Sequence, residues 1–179
     1  MDQQELCKLI AQPGLFNYVQ YLSEATDEKL RNTVELFAYG TVEHYEKYRH
    51  KFIELDATCF QKLVCASLLT LLSENVGNTL KQVDILAKLR CLETPDALED
   101  LLISMVDANC VSVKIDRQKR TVAVRDVAVL RDAYSNDITL RVLQPHEVQS
   151  ASVAWARQAI RAWIDQKIVP AQLEVQSQM

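Results

Sequence analysis

Glycine and proline are scarce in this chain, with three and four copies in 179 residues. So few breakers exclude a loop-rich architecture and predict a mostly helical protein. Three scattered glycines cannot build a phosphate cradle, and neither Gly-x-x-x-x-Gly-Lys nor Gly-x-Gly-x-x-Gly occurs. Histidine is as thin: His44, His50 and His146, with no His-Glu-x-x-His and no His-x-His. His44 and His50 are six apart on an expected helix, about 240° around it, and so face different sides. With Cys59 and Cys65 they do not make a metal set, because structural zinc takes paired ligands at close spacing. No Gly-x-Ser-x-Gly announces a nucleophile. The expectation is a protein without catalytic residues, cofactor or metal. A basic excess is missing too: 20 Lys and Arg stand against 24 Asp and Glu, a net charge of −4. That balance argues against a dedicated binder of nucleic acid or anionic membrane. Long apolar runs are absent; Leu63 to Ser73 is uncharged but ends at Glu74, far short of the roughly 20 residues a membrane span needs. Met1-Asp2-Gln3-Gln4-Glu5 is acidic and polar, unlike a secretory signal or transit peptide. Cys7, Cys59, Cys65, Cys91 and Cys110 are odd in number, widely spaced and free of any Cys-x-x-Cys. They read as reduced thiols of the cytoplasm or nucleus, most of them small core residues.

What is present is the balance of a folded soluble chain, 49% hydrophobic and 25% charged. The length suits one ordinary domain or two small ones with a real core. Helices are expected over Asp2 to Ala11, Leu15 to Leu22, Asp27 to Ala38, Thr41 to Phe52 and Asp56 to Glu74. Leu30, Val34 and Phe37 stripe the third, and a wide stripe from Phe60 to Leu72 marks the fifth as largely buried. A short helix follows over Thr79 to Leu89. Thr94 and Pro95, an N-cap and a first-turn proline, open another to about Ala108. The period then switches to two: Val111, Val113 and Ile115 alternate with polar residues, a basic turn follows, and Thr121 to Val124 returns. Three helices and a hairpin at these lengths are the winged-helix arrangement. The fold class is mainly α: a helical-repeat or bundle segment over 1–55, a winged helix over 56–125, a connecting segment over 126–144, a C-terminal helix from Pro145 to Ile168, and a flexible tail over 169–179.

A DNA-reading role fails on residue type. The third winged-helix helix carries Asp96, Glu99, Asp100 and Asp107 and no Lys or Arg, so it repels phosphate. Lys114, Arg117, Lys119 and Arg120 at the wing tip are the possible nucleic-acid contacts, or simply a solvated turn. Protein contact fits better. The wing's outer edge strand, placed at 121–125, needs a partner or protection. Its candidate partner-binding residues are Val111, Val113, Ile115, Thr121, Val122, Val124 and Arg125. On the last helix, Trp155, Ile160, Trp163, Ile164 and Ile168 form a stripe suited to a multi-helix bundle or to the helix's own core.

Leu36-Phe37-Ala38-Tyr39-Gly40-Thr41 resembles the Leu-Phe-Ala-Tyr-Gly-Thr segment of the COP9 signalosome subunit 7 family. Lys62 to Leu71, Asp96 to Ile103 and the hairpin Val113 to Val124 are similar to the helices and wing of PCI domains at large. The resemblance runs well over about 30–125 and loosely over 145–168. Arg117 stands where the family's turn usually has Gln, the helical part before Phe37 is short, and 126–144 looks like an insertion. The resemblance implies a non-catalytic PCI scaffold subunit in the cytoplasm and nucleus. Other PCI and MPN subunits would be its partners, with cullin-RING ligases reached indirectly through the complex that removes Nedd8 from cullins. PCI subunits of translation initiation factor three and of the proteasome lid share the domain and are the rival assemblies; a winged-helix nucleic-acid binder is the further alternative. The family implies side-by-side pairing of winged-helix sheets and a bundle of C-terminal helices. Within it, Phe37, Tyr39 and Gly40 are expected to fix a helix turn, Gly40 through a positive φ.

Overall fold

A computed structural model describes residues 1–149 and 152–170, in the last helix without the side chains of Trp155, Ala159, Ala162, Trp163, Gln166 and Lys167. The chain is mostly helical, with one small antiparallel sheet. Helix α1 (Gln3–Ile10) starts in a capping box: Asp2 accepts from the Glu5 amide and Glu5 accepts from the Asp2 amide, both at 2.8 Å. Leu6 and Ile10, one turn apart, are its buried face. Pro13 and Gly14 end the run, Gly14 at φ +76°. The helix expected at 15–22 is instead an irregular stretch over 15–18 and a short 3-10 turn, Val19–Ser23. The reason is long-range: the Asp132 carboxylate accepts from the amides of Tyr18 and Val19, groups that a helix begun at Leu15 would not turn outward together.

Helix α2 (Glu28–Tyr39), capped by Asp27, is buried over almost its whole second half. It stops at Gly40, but not through a positive φ: Gly40 sits at φ −86°, ψ 178°. A Cβ there would lie 2.6 Å from Leu36 Cδ1 and 2.8 Å from the Leu36 carbonyl oxygen. Gly40 is required by close approach, and Phe37 and Tyr39 are core residues beside it. Helix α3 is only Val42–Lys47, followed by a 3-10 turn at Arg49–Lys51, shorter than the expected run to Phe52. Tyr45 and Phe52 stack at 6.0 Å, so the chain bends there to bury both rings. Helix α4 (Ala57–Ser73), with Asp56 as N-cap, is central and buried on most sides, as its wide apolar stripe predicts.

The region expected as one helix over 79–89 divides into β1 (Thr79–Lys81) and α5 (Gln82–Lys88). Thr79 and Leu80 pair with Ala123 and Val122, which no local pattern foretells. Helix α6 (Pro95–Asp107) has Thr94 as N-cap, accepting from the Ala97 amide at 3.2 Å. Strands β2 (Val111–Asp116) and β3 (Thr121–Val127) form the expected hairpin, with a register shift at Ser112 and Val113. The sheet order is β1-β3-β2.

Residues 128–149 hold no regular helix or strand longer than a bridge, yet they are not a loose insertion. They form a strap across the helices. Arg131 donates to the carbonyls of Phe37 (2.8 Å) and Leu36 (3.4 Å) and to Thr70 Oγ1 (2.8 Å), stitching the ends of α2 and α4. Glu35, 2% exposed, accepts from the amides of Arg141, Val142 and Leu143 at 2.8–3.0 Å. Glu147 accepts from Lys47 Nζ (2.6 Å), Tyr48 Oη (3.0 Å) and the Gln144 amide (2.8 Å). Helix α7 (Val153–Trp163) starts eight residues later than Pro145, because Pro145 to Val148 are turns that seat Val148 in the core. A π-helical segment, Ile164–Ile168, continues it. One apolar cluster runs from Leu6 through α4 and β3 to Val148.

Candidate interaction surface

The sheet decides which residues a partner could reach. Strand β3 is paired on both sides, with β1 and with β2, so 121–125 is the centre of the sheet and not its edge. This corrects the expected edge, and the three residues of β1 are the cause. Val122 and Val124 are 0% and 2% exposed and Val111 is 5% exposed; they face the core and cannot be partner contacts as the protein stands. Val113, Ile115 and Thr121 are half-buried, and Arg125 is exposed. The long edge of the sheet is β2. Among the described residues no strand pairs with its far side, and Ser112 and Lys114 lie exposed along it. Alternate residues of such a strand aim N–H and C=O outward, a template for another strand.

The hairpin tip is tied to α6 through a buried acid. Glu99 accepts from Gln82 Nε2 at 2.8 Å and from Arg117 Nε at 2.6 Å, while the Gln82 amide donates to the Arg120 carbonyl at 2.9 Å. Hydrogen bonds from Gln82 and then Arg117 hold the Glu99 carboxyl below its ordinary range, against the opposing effect of burial. Arg117 is thereby engaged within the chain. Lys114, Lys119 and Arg120 are exposed, and α6 presents Asp96, Asp100, Ile103, Val106 and Asp107 to solvent. That outward face is acidic and apolar, the wrong chemistry for a phosphate backbone.

Helix α7 is anchored at its first turn, where the Val153 amide donates to the Tyr134 carbonyl at 3.0 Å. Beyond it, Ile160 is 58% exposed and Ile164 40%. Ile168 is half-buried. The side chains of Trp155 and Trp163 lie outside the described residues. The apolar stripe is therefore open to solvent at Ile160 and Ile164.

The chain is 29% identical over 125 residues to COP9 signalosome complex subunit 7 of Drosophila melanogaster. It is similar to a signalosome subunit. The matched stretch is 70% of this chain, and the chain spans 42% of that relative's length. No protein-family model matches. The likeness to the subunit agrees with the resemblance carried by Leu36 to Thr41, a segment whose Leu36, Phe37 and Ala38 are all 0% exposed.

Elsewhere the structure joins residues that the sequence reading left apart. Gln82, Glu99 and Arg117 are one such set; in the sequence Glu99 stands out only as one of the four acids of α6. His44 and His50 do not converge with Cys59 and Cys65. His44 instead caps α3, accepting from the Thr41 amide at 3.1 Å, and burial pulls its pKa down. Cys59 meets Cys7 and Asp56, whose ligand atoms all lie within 4.8 Å of one another.

Proposed function

We propose that the chain is a PCI-type subunit whose 56–125 region is a winged helix, and that it serves as a non-catalytic scaffold in a multi-subunit complex of the COP9 signalosome kind. The order α4, β1, α5, α6, β2, β3 with sheet order β1-β3-β2 supports the winged-helix reading. Strand β2 pairs edge to edge with a neighbouring subunit's sheet, and the exposed stripe at Ile160 and Ile164 joins a bundle of C-terminal helices. PCI and MPN subunits are the partners, cullin-RING ligases are met indirectly, and the work is done in cytoplasm and nucleus. The observation that carries this reading is the free, half-polar β2 edge in a chain similar to a signalosome subunit.

The test is affinity purification of the tagged chain from its own cells, with mass spectrometry of what accompanies it. Signalosome subunits are expected in the wild type. Proline is then placed at Lys114 or at Ile115, neighbours whose amides point to opposite sides of the strand. The substitution at the outward amide keeps the far-UV helix signal and loses the neighbour. Initiation-factor or proteasome-lid subunits would move the function to another PCI assembly, and recovery of nucleic acid alone would overturn the scaffold reading.

A further inference from the structure

Cys7, on α1, and Asp56 and Cys59, at the start of α4, bring two sulfurs and a carboxylate oxygen within 4.8 Å of one another. All three are electron-pair donors. Cys59 is fully buried, Cys7 is half-buried and Asp56 is exposed, so solvent reaches the cluster from the Asp56 side. Asp56 Oδ1 accepts from the Cys59 amide at 2.7 Å, which fixes the carboxylate beside the thiol. The Cys59 thiol points its proton at the Cys7 carbonyl oxygen, 3.8 Å away. Among the described residues no salt bridge engages Asp56, so no cation of the chain occupies the centre.

We propose that this cluster is a binding site for a thiophilic divalent cation of the zinc type. Tetrahedral zinc has sulfur at about 2.3 Å and oxygen at about 2.0 Å, which sets sulfur to sulfur near 3.8 Å. From separations within 4.8 Å, the sulfurs need to approach by about 1 Å at most and a sulfur and the carboxylate oxygen by about 1.3 Å at most, movements that side-chain rotation of half-buried Cys7 and exposed Asp56 can supply. Cys59 and Asp56 are already held. Two sulfurs select against calcium and magnesium, which take oxygen ligands. As the two metal–sulfur bonds form, both thiol protons leave to solvent, and water fills the fourth position on the Asp56 side. The bound ion pins α1 to the first turn of α4.

The experiment is a titration of the reduced full chain with Co2+, followed by displacement with Zn2+. The expected result is one equivalent of cobalt with a sulfur-to-metal charge-transfer band, bleached by zinc. Cys7→Ser abolishes the band, and because Cys7 is half-exposed this variant should fold. Cys59→Ser also abolishes it, with circular dichroism to check folding. Asp56→Asn weakens binding at least about tenfold, while Cys65→Ser and Cys110→Ser leave it unchanged. No charge-transfer band, a band that survives Cys7→Ser, or two thiols that only join as a disulfide under an added oxidant such as diamide would overturn the proposal.

Discussion

Glu35 is a carboxylate in the core whose described partners are three backbone amides of the strap. Glu35→Ala would leave three amides without their acceptor, those of Val142 and Leu143 buried, at a cost of roughly 3–5 kcal/mol. Glu35→Gln keeps one acceptor oxygen and should lose less; urea unfolding of both variants checks the order. Gly40 makes a different demand. Gly40→Ala would press a methyl group against Leu36, whose carbonyl oxygen cannot retreat without moving the end of α2. The expected loss is about 1–3 kcal/mol by the same measurement, and an unchanged midpoint would refute the close-approach explanation. The titrating residues set the response to acid. Burial works to raise the Glu147 carboxyl, but hydrogen bonds from Lys47, Gln144 and Tyr48 overcome it and hold its pKa at about 2, against an ordinary 4.5. Between those values the unfolded chain binds a proton that the folded chain refuses, so stability falls as pH drops below 4.5. Asp56, through the Cys59 amide, and Glu99, through Gln82, act in the same direction. Burial lowers His44 from its ordinary 6.5, so its share of stability is complete above 6.5 and starts to fade below it. The urea midpoint should decline from pH 7.5 to 3, and Glu147→Gln should flatten the part below 4.5.

At the scale of elements, the three residues of β1 change the meaning of the hairpin. Once β1 takes one side of β3, the alternating valines of β3 belong to the core and the reactive edge passes to β2. Val122→Pro or Val124→Pro should therefore unfold the chain, because each puts proline into a central strand. Cooperative unfolding retained in both variants would contradict the sheet order. The outward substitution on β2 should instead spare the fold. Helix α6 shows how one element serves two ends: its inner face packs Leu98, Leu101, Leu102 and Met105, and buried Glu99 holds the hairpin tip. Arg117→Ala should loosen that tip without touching the core.

At the scale of the molecule, the strap joins what the chain order separates. Arg131 and Asp132 reach α2, α4 and the Tyr18 turn, and Val142, Leu143 and Val148 enter the common core. A chain ending at Gln149 should keep a cooperative urea transition, since α7 touches the body at its first turn and exposes Ile160 and Ile164 beyond it. A chain ending at Val127 should not fold, because it would lose the acceptors and donors that close α2 and α4. If the shorter chain folds as well as the longer, the strap is dispensable and the single-core description fails. No helix of the described residues is long and apolar enough to cross a membrane.

The amino-acid sequence by itself determined the helical class, the capped start of α6, the burial of α4 and the existence of the hairpin. Each of these rests on neighbours within a few residues: Thr94 and Pro95 before an apolar stripe, or a switch of period from 3.6 to two. The tertiary structure alone decided that Thr79–Lys81 is a strand, that β3 is central, that 15–18 is not helical and that 128–149 is a core strap. Those outcomes depend on pairings across 40 residues and more, such as Leu80 with Val122 or Tyr18 with Asp132. The same holds for the candidate sites. The basic tip and the stripe on α7 could be read from spacing, whereas the free edge of β2 and the meeting of Cys7 with Cys59 exist only once distant segments pack together.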